Sequence, residues 1–234
     1  MNTRQNQARL AGLLYLIIVV TGIINLMYVP SQLIVWDDAS ATFANIVASE
    51  TLFKLGILAA IICYTTFLFL PIVLYRLLHT VSKNSAIWMV VLALFSVPFS
   101  FSNILNKVNV LTLIDKPDYL AVYTQETLEA EVMLHLDFYY NGIQMLTIFW
   151  GLWLLPFGYL VFKSGFLPKI LGILLMLGCF GYLINFVGSF LIEDYGSLGI
   201  RRIISLPASI GEIGICLWML IFGAKTFWNR AAKT

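Results

Sequence analysis

The chain has 234 residues, of which 60% are hydrophobic and only 11% are charged. Soluble domains carry roughly a quarter charged residues, so this chain lacks the polar side chains that would cover a soluble domain, and lipid is the alternative solvent. The net charge is +2 and the charges are scattered, which argues against a nucleic-acid partner. Cys63, Cys179 and Cys216 lie singly in apolar runs without a CxxC spacing, and we expect them to be small core residues.

Six long apolar runs dominate the sequence. They cover residues 10–29, 55–75, 84–106, 138–162, 170–192 and 203–224, and only the last is interrupted by a charge, Glu212. Each run is long enough to cross roughly 30 Å of hydrocarbon as a helix. The runs show no alternation of period two, which excludes barrel strands. We therefore predict an all-α polytopic membrane protein, with six transmembrane helices in one bundle and a single domain over residues 1–234.

Two connecting segments also have helical patterns. In the segment 37–50, an acidic N-cap precedes apolar residues at helical spacing, which predicts a short helix at the membrane interface. A second helix is predicted to begin at about Gln125 and to continue into the fourth span. Its length to the end of that span would be about 55 Å, so its first turns are expected to project from the membrane.

The distribution of charge predicts the orientation of the chain. If the N-terminus is cytoplasmic, nine of the fourteen basic residues lie on that side: Arg4, Arg9, Arg76, Lys83, Lys163, Lys169, Lys225, Arg230 and Lys233. No Asp or Glu lies in a segment of that side. Both termini are therefore predicted to be cytoplasmic, in a plasma membrane, with the segments around Asp38, Lys116 and Asp194 outside. The first run lacks a small-residue cleavage site, and we expect it to be retained.

The fourth span carries polar residues on two faces near its outer end. Asp137, Asn141 and Gln144 share one face at spacings i, i+4 and i+7, whereas His135 and Tyr139 share another, offset by roughly 160°. An amide below the interface is costly unless it meets a partner. We therefore predict that the Asp137 face points into the bundle and that His135 faces water or headgroups.

Other polar residues fall near the same outer boundary: Asn25, Lys54, Asn103, Asn106 and Asn185. For the asparagines, the alternative is ordinary hydrogen bonding between helices, and Lys54 could pair with Glu50, four residues earlier. Glu212 lies deeper, about 14 Å along the sixth helix. An acid at that depth costs at least ~2.5 kcal/mol and needs a partner. Asn185 is the first candidate and Lys54 the second.

Several kinds of chemistry can be set aside. The two histidines, His79 and His135, are predicted at opposite ends of the bundle, which excludes bis-histidine haem ligation and a multi-histidine zinc centre. HExxH, GxSxG and P-loop motifs do not occur. A metal site from Glu131, His135 and Asp137 is disfavoured by the offset between their faces. We therefore predict no catalytic residue, metal or cofactor.

Several stretches of the sequence resemble the bacterial membrane family catalogued as domain of unknown function 4386. They are "GYLVFKSGFLPKILGILLMLGCFGYLINF" (158–186), "RLAGLLYLIIVVTGI" (9–23), "ASETLFKLGI" (48–57) and "GEIGICLWMLIFG" (211–223), in the family's order. Arginine is commoner in the family where Lys54 and Lys169 stand. The resemblance implies a six-helix integral membrane protein and no assigned activity. It also places Glu50, Lys54, His135 and Glu212 inside motif-like stretches.

These observations predict an outer-facing polar pocket that binds a small amphipathic or lipid-like ligand, or a membrane partner, without catalysis. The candidate ligand-binding residues are Glu212, Asp137, Asn141, Gln144, Asn185, Asn25, Lys54, His135 and Asn103. One alternative is a transporter or channel-like subunit with Glu212 as an intramembrane relay. Another is an intramembrane enzyme that acts on lipid from the outer leaflet. Membrane lipids are the expected surroundings, and no nucleic acid is expected to bind.

Overall fold

The computed structural model describes residues 3–224. Lys225, Arg230 and Lys233, which contribute to the predicted orientation, lie outside this range. The described chain forms helices and no strand, and six of its helices are long and apolar enough to cross a membrane. The predicted all-α class with six spans is confirmed.

Seven helices of ten residues or more follow one another in the described range. They are α1 (Thr3–Leu33), α2 (Ala39–Ala48), α3 (Glu50–Leu78), α4 (Lys83–Asp115), α5 (Gln125–Lys163), α6 (Lys169–Leu191) and α7 (Ile200–Ile221). All except α2 are candidate spans. Short 3₁₀ turns at Asp118–Leu120 and Tyr195–Leu198 lie before α5 and α7.

The helix ends follow the sequence signals, with one informative difference. The predicted helix of the segment 37–50 is α2, and the Asp38 carboxylate caps it by accepting the Ala41 N–H at 2.8 Å. Helix α5 begins at Gln125 as predicted. Helix α4, however, continues to Asp115 instead of ending at 106. The uncharged run stops there because the next residue is Lys107, but the helix does not stop, because that lysine is buried.

Two of the long helices depart locally from α geometry, and a proline explains each departure. In α5, a turn at Trp153 separates Gln125–Leu152 from Leu154–Lys163, just before Pro156. In α1, the segment Ile24–Tyr28 is a π-helical turn, in which the N–H of Val29 bonds to the carbonyl of Ile24. Pro30 follows this turn. Since proline cannot donate to the carbonyl four residues earlier and clashes with it, the wider turn relieves the strain.

The described helices group into two compact units. The first comprises residues 3–16, 66–97 and 145–224, and the second comprises residues 17–65 and 98–144. Helices α6 and α7 belong to the first unit and α2 to the second, while the four other helices contribute segments to both. The single domain that the sequence suggests stays a prediction.

The first unit is built around aromatic side chains and close helix contacts. Trp153 is buried and stacks on Phe157 with ring centroids 5.1 Å apart, while Phe67 meets its edge at 5.3 Å. Gly12 of α1 lies directly against the backbone of Leu220, so that a Cβ at this position would overlap it. Small residues at such crossings let helix backbones approach closely in membranes.

The second unit is fixed by one buried hydroxyl and by apolar packing. Thr42 of α2 is fully buried, and its hydroxyl accepts the N–H of Val35 at 2.8 Å and donates to the carbonyl of Val35 at 2.9 Å. These bonds hold α2 to the segment that leaves α1. Val29 packs against Gly56 of α3, where an added Cβ would come within 3.0 Å of its side chain.

Candidate functional site

A buried lysine lies in the second unit. Lys107 of α4 is only 2% exposed, and its Nζ donates a hydrogen bond to Oδ1 of Asn25 at 2.7 Å. The same Nζ lies 4.2 Å from the centroid of the Tyr139 ring, within the range of a cation–π contact. Asn25 completes the triangle, because its Nδ2 donates to Oη of Tyr139 at 2.8 Å. We call these three residues the lysine cluster.

The lysine cluster contains no acid. Lys107 forms no ion pair, so no described carboxylate lies within 4.0 Å of its Nζ. An ammonium group can donate three hydrogen bonds. Among the described side chains, Asn25 is the one that accepts a hydrogen bond from Lys107. A buried charge normally requires a charged partner or several hydrogen bonds. The lysine cluster therefore combines a buried amino group with unused donor capacity.

The π-helical turn of α1 positions Asn25. This residue belongs to the turn Ile24–Tyr28 and is 1% exposed, whereas Leu26 and Met27 beside it are exposed. The local widening thus places a polar side chain in the interior of a helix whose surroundings are apolar. π-turns are frequent at functional sites, and here the turn supplies the partner of the buried lysine.

A second polar layer lies beside the lysine cluster. Asn103 Nδ2 donates to the carbonyl oxygen of Tyr139 at 2.9 Å, and Asn106 Nδ2 donates to Asn103 Oδ1 at 3.2 Å. His135 Nδ1 lies 3.5 Å from Asn106 Oδ1, and the His135 side chain is partly exposed. Gly142 of α5 has no Cβ, which leaves room for the Asn103 side chain of α4. A Cβ added at Gly142 would overlap the Asn103 side-chain amide. A row of polar groups therefore leads from a partly exposed histidine towards the buried tyrosine.

The predicted inward orientation was wrong for Asp137 and Asn141 of α5. Asp137 and Asn141 are exposed, and Gln144 is half-buried, whereas Leu136 and Tyr139 are buried. The physical reason is a local hydrogen bond, in which Asn141 Nδ2 donates to Asp137 Oδ2 at 3.1 Å. These two residues satisfy each other one turn apart and need no interior partner. The opposite face offers large apolar side chains together with a tyrosine hydroxyl that Asn25 can reach.

Glu212 lies in the first unit and has tyrosine partners. Its Oε2 accepts a hydrogen bond from the Tyr15 hydroxyl at 2.8 Å, and its Oε1 accepts one from the Tyr182 hydroxyl at 3.1 Å. The prediction of a polar partner on a neighbouring helix is confirmed, but both named candidates, Asn185 and Lys54, were wrong. Tyr182 comes one turn before Asn185 on α6, and this turn matches the depth of Glu212 on the antiparallel helix α7.

Asn185 instead ties together the ends of α6 and α7 in the first unit. Its Nδ2 donates to Ser205 Oγ at 2.8 Å and to the Arg201 carbonyl at 3.3 Å, and its Oδ1 accepts the Tyr195 hydroxyl at 2.9 Å. All the hydrogen-bonding groups of the amide are thus in use. This is the ordinary interhelical bonding that the sequence left open for the asparagines.

Lys54 also has a local partner. It forms an ion pair with Glu50 one turn earlier on α3, and its side chain is 56% exposed. The predicted pairing with Glu50 is confirmed. An exposed pair of this kind contributes little to stability. Of the predicted site residues, the structure therefore brings together Asn25, Asn103 and His135, and it leaves Lys54, Asp137, Asn141, Asn185 and Glu212 with other partners.

Sequence reasoning missed two members of the lysine cluster. The predicted third span ends just before Lys107, and Tyr139 was predicted only to share a face of the fourth span with His135. A usable signal was present, because Asn103, Lys107 and Val110 follow one another at i, i+4 and i+7 and therefore share one face of α4. A lysine on the same face as an asparagine and a valine points inward together with them.

The described residues offer no grouping that suits a metal ion. Within residues 3–224, no three His, Cys, Asp or Glu side chains are placed to hold one. The chemistry that the lysine cluster can supply is hydrogen bonding from a cation in a surrounding of low polarity, where such bonds are strong.

Fold and site together define a multi-pass α-helical membrane protein with a buried, acid-free lysine cluster. Residues 10–223 match the family described as Domain of unknown function (DUF4386), and the chain belongs to this family. It is also similar to an "Uncharacterized protein" of Archaeoglobus fulgidus, with 28% identity over 156 residues that cover 66% of this chain and 75% of the relative. No solved structure matches the chain.

Proposed function

We propose that the protein binds a small amphipathic ligand whose polar end is anionic and meets Lys107. The observation that carries the proposal is a buried lysine amino group without a carboxylate partner. A lysine within a span is costly, and neutral partners offset only part of this cost. A carboxylate or phosphate on the ligand would supply the missing charge and accept the unused N–H groups.

The surroundings of the lysine cluster favour an amphipathic molecule. Lys107 lies about 12 Å of helix before the end of α4 at Asp115, so the cluster is below the end of a span. The row of Asn103, Asn106 and His135 offers polar contacts towards a partly exposed position. The apolar part of the ligand would remain in contact with hydrocarbon, as in sites that combine many apolar contacts with a few polar ones.

Binding is favoured over a proton relay through Glu212. Both oxygens of this carboxyl group already accept hydrogen bonds from tyrosine hydroxyls, which supports a structural role in the first unit. We further infer that the ligand enters from the outer leaflet of a bacterial plasma membrane. This inference is supported by the concentration of basic residues in the segments at the opposite ends of the spans.

A titration with a fluorescent polyene fatty acid and its methyl ester tests the proposal. The two probes share an apolar chain and differ in the charge of the head. A hydrogen bond to a charged group contributes about 1.5–3 kcal/mol, so the purified protein in uncharged detergent should bind the acid about tenfold or more tightly than the ester.

Two variants make the titration specific for the lysine cluster. Lys107→Met removes the charge but keeps a long apolar side chain, and it should abolish the preference for the acid. Lys54→Met removes an exposed lysine of the same unit and should keep it. Equal binding of acid and ester by the wild type, or a preference that survives Lys107→Met, would contradict the proposal.

A further inference from the structure

Two basic side chains, Arg4 and Lys163, line a cavity in the first unit. The cavity has a volume of about 460 Å³ and is lined by Arg4, Thr80, Val81, Tyr159, Lys163, Ser164 and Phe166. These residues come from the start of α1, the connection between α3 and α4, and the end of α5 with the turn that follows it. The cavity is thus formed where helices begin and end, which is where a span leaves the hydrocarbon.

The side chains around the cavity are held by local contacts. The guanidinium carbon of Arg4 lies 5.0 Å from the centroid of the Phe166 ring. The Ser164 hydroxyl donates to the Val161 carbonyl at 2.8 Å and accepts the Leu167 N–H at 3.1 Å, which closes the turn after α5. Phe166 is buried, so the aromatic face beneath Arg4 is a fixed part of the wall.

The charge of this cavity is not compensated by the described protein. Arg4 and Lys163 are both cationic, and neither forms an ion pair with a described carboxylate. No Asp or Glu occurs in the connections on this side of the spans, 79–83 and 164–169. Two cations that share one cavity repel each other, and an anion between them would remove the repulsion and gain charge-assisted hydrogen bonds.

We propose that this cavity binds the phosphate group of an anionic phospholipid headgroup. Arginine presents a planar fork that matches phosphate oxygens, and lysine adds a second charge. The volume lies within the usual range for small-ligand sites and admits a phosphate with a few further atoms. The rim is made by helix ends, with the half-exposed Tyr159 beside them, as expected of a site that is reached from the headgroup layer. The proposal is independent of the lysine cluster.

The test is lipid binding measured by native mass spectrometry in an uncharged detergent, with phosphatidylglycerol and phosphatidylcholine as probes. The wild type should retain phosphatidylglycerol at least tenfold more tightly than phosphatidylcholine. Arg4→Gln with Lys163→Gln should lose this preference. The matched control, Arg9→Gln with Lys83→Gln, removes the same net charge from exposed residues that do not line the cavity, and it should keep the preference.

Two further measurements make the outcome decisive. Arg4→Lys with Lys163→Arg keeps both charges and should retain the lipid, which separates lost charge from lost folding. Inorganic phosphate at a concentration of tens of millimolar should not displace phosphatidylglycerol, and displacement would overturn the lipid as the source of the phosphate group. Equal retention of the two lipids by the wild type, or an equal loss in the control variant, would overturn the site itself.

Discussion

Gly142→Ala is expected to disturb the second polar layer while leaving the contacts of Lys107 and Asn25 in place. A Cβ at this position of α5 would overlap the side-chain amide of Asn103 on α4. The amide would have to rotate away. It would then lose the bond to the Tyr139 carbonyl, now 2.9 Å long, and the bond from Asn106, now 3.2 Å long.

The expected change in the free energy of unfolding follows from two opposing effects. Two hydrogen bonds at about 1 kcal/mol each amount to a loss of about 2 kcal/mol. Alanine in a helix interior is better than glycine by about 1 kcal/mol, which offsets half of that loss. The variant should therefore be less stable by about 1 kcal/mol, which lowers the unfolding temperature by about 2–4 °C in a domain of this size.

A double-mutant cycle with Asn103→Ala isolates the contact. Asn103→Ala alone removes the same two bonds and should cost about 2 kcal/mol. In the double variant, the alanine at 142 meets no amide and contributes its full helix propensity, so the double variant should be more stable than Asn103→Ala by about 1 kcal/mol. The coupling between the two positions is then about 2 kcal/mol. Thermal unfolding in detergent, followed by tryptophan fluorescence, measures all three variants.

The cycle can also contradict this reasoning. If the losses of Gly142→Ala and Asn103→Ala simply add in the double variant, the glycine does not serve to admit the asparagine. If Gly142→Ala alone raises the unfolding temperature, the two hydrogen bonds are not worth about 1 kcal/mol each, and the second polar layer is weaker than its geometry indicates.

Three other outcomes are expected. Glu212→Gln should stay within about 1 kcal/mol of the wild type because an amide can bond to both tyrosine hydroxyls, whereas Glu212→Leu should lose about 2 kcal/mol or more by leaving them without their acceptor; equal unfolding temperatures would remove the structural role. Gly12→Ala should lower the unfolding temperature because the new Cβ overlaps the Leu220 backbone, whereas Gly22→Ala, whose Cβ would meet only a sulfur atom at 4.0 Å, should not; a reversed order would refute the close contact. Cysteine placed at Lys116 should be labelled in intact cells once the native thiols are replaced, and labelling only after permeabilisation would reverse the predicted orientation.

The spans of this protein could be predicted because hydrocarbon imposes a simple requirement on length and polarity. The six apolar runs correspond to the six long helices, and the predicted acidic N-cap, Asp38, precedes the first residue of α2. The end of α4 could not be predicted in this way. A charged residue was taken as the limit of a span, but Lys107 is enclosed by protein, and enclosure depends on side chains from two other helices.

The candidate site was predicted less well because polar partners depend on details that one sequence does not show. Asp137 and Asn141 proved to satisfy each other along one helix, which removed the reason for placing their face inside. The sequence prediction names an amide and a lysine as partners of Glu212, whereas its partners are the hydroxyls of Tyr15 and Tyr182. In a chain with 11 tyrosines and few charges, the phenol hydroxyl is a polar group that can be buried once it finds a hydrogen-bond partner.

The π-helical turn of α1 makes the number of residues between Asn25 and Val29 critical. Asn25 lies within the turn and must point to Lys107. Val29 follows the turn and must pack against Gly56. Deleting one residue between them would restore regular α geometry and would rotate one contact relative to the other by about 100°. Either the amide or the valine would then leave its place. Substitutions within this segment can therefore be accommodated, but a change in its length cannot, and relatives that keep the lysine should keep the extra residue as well.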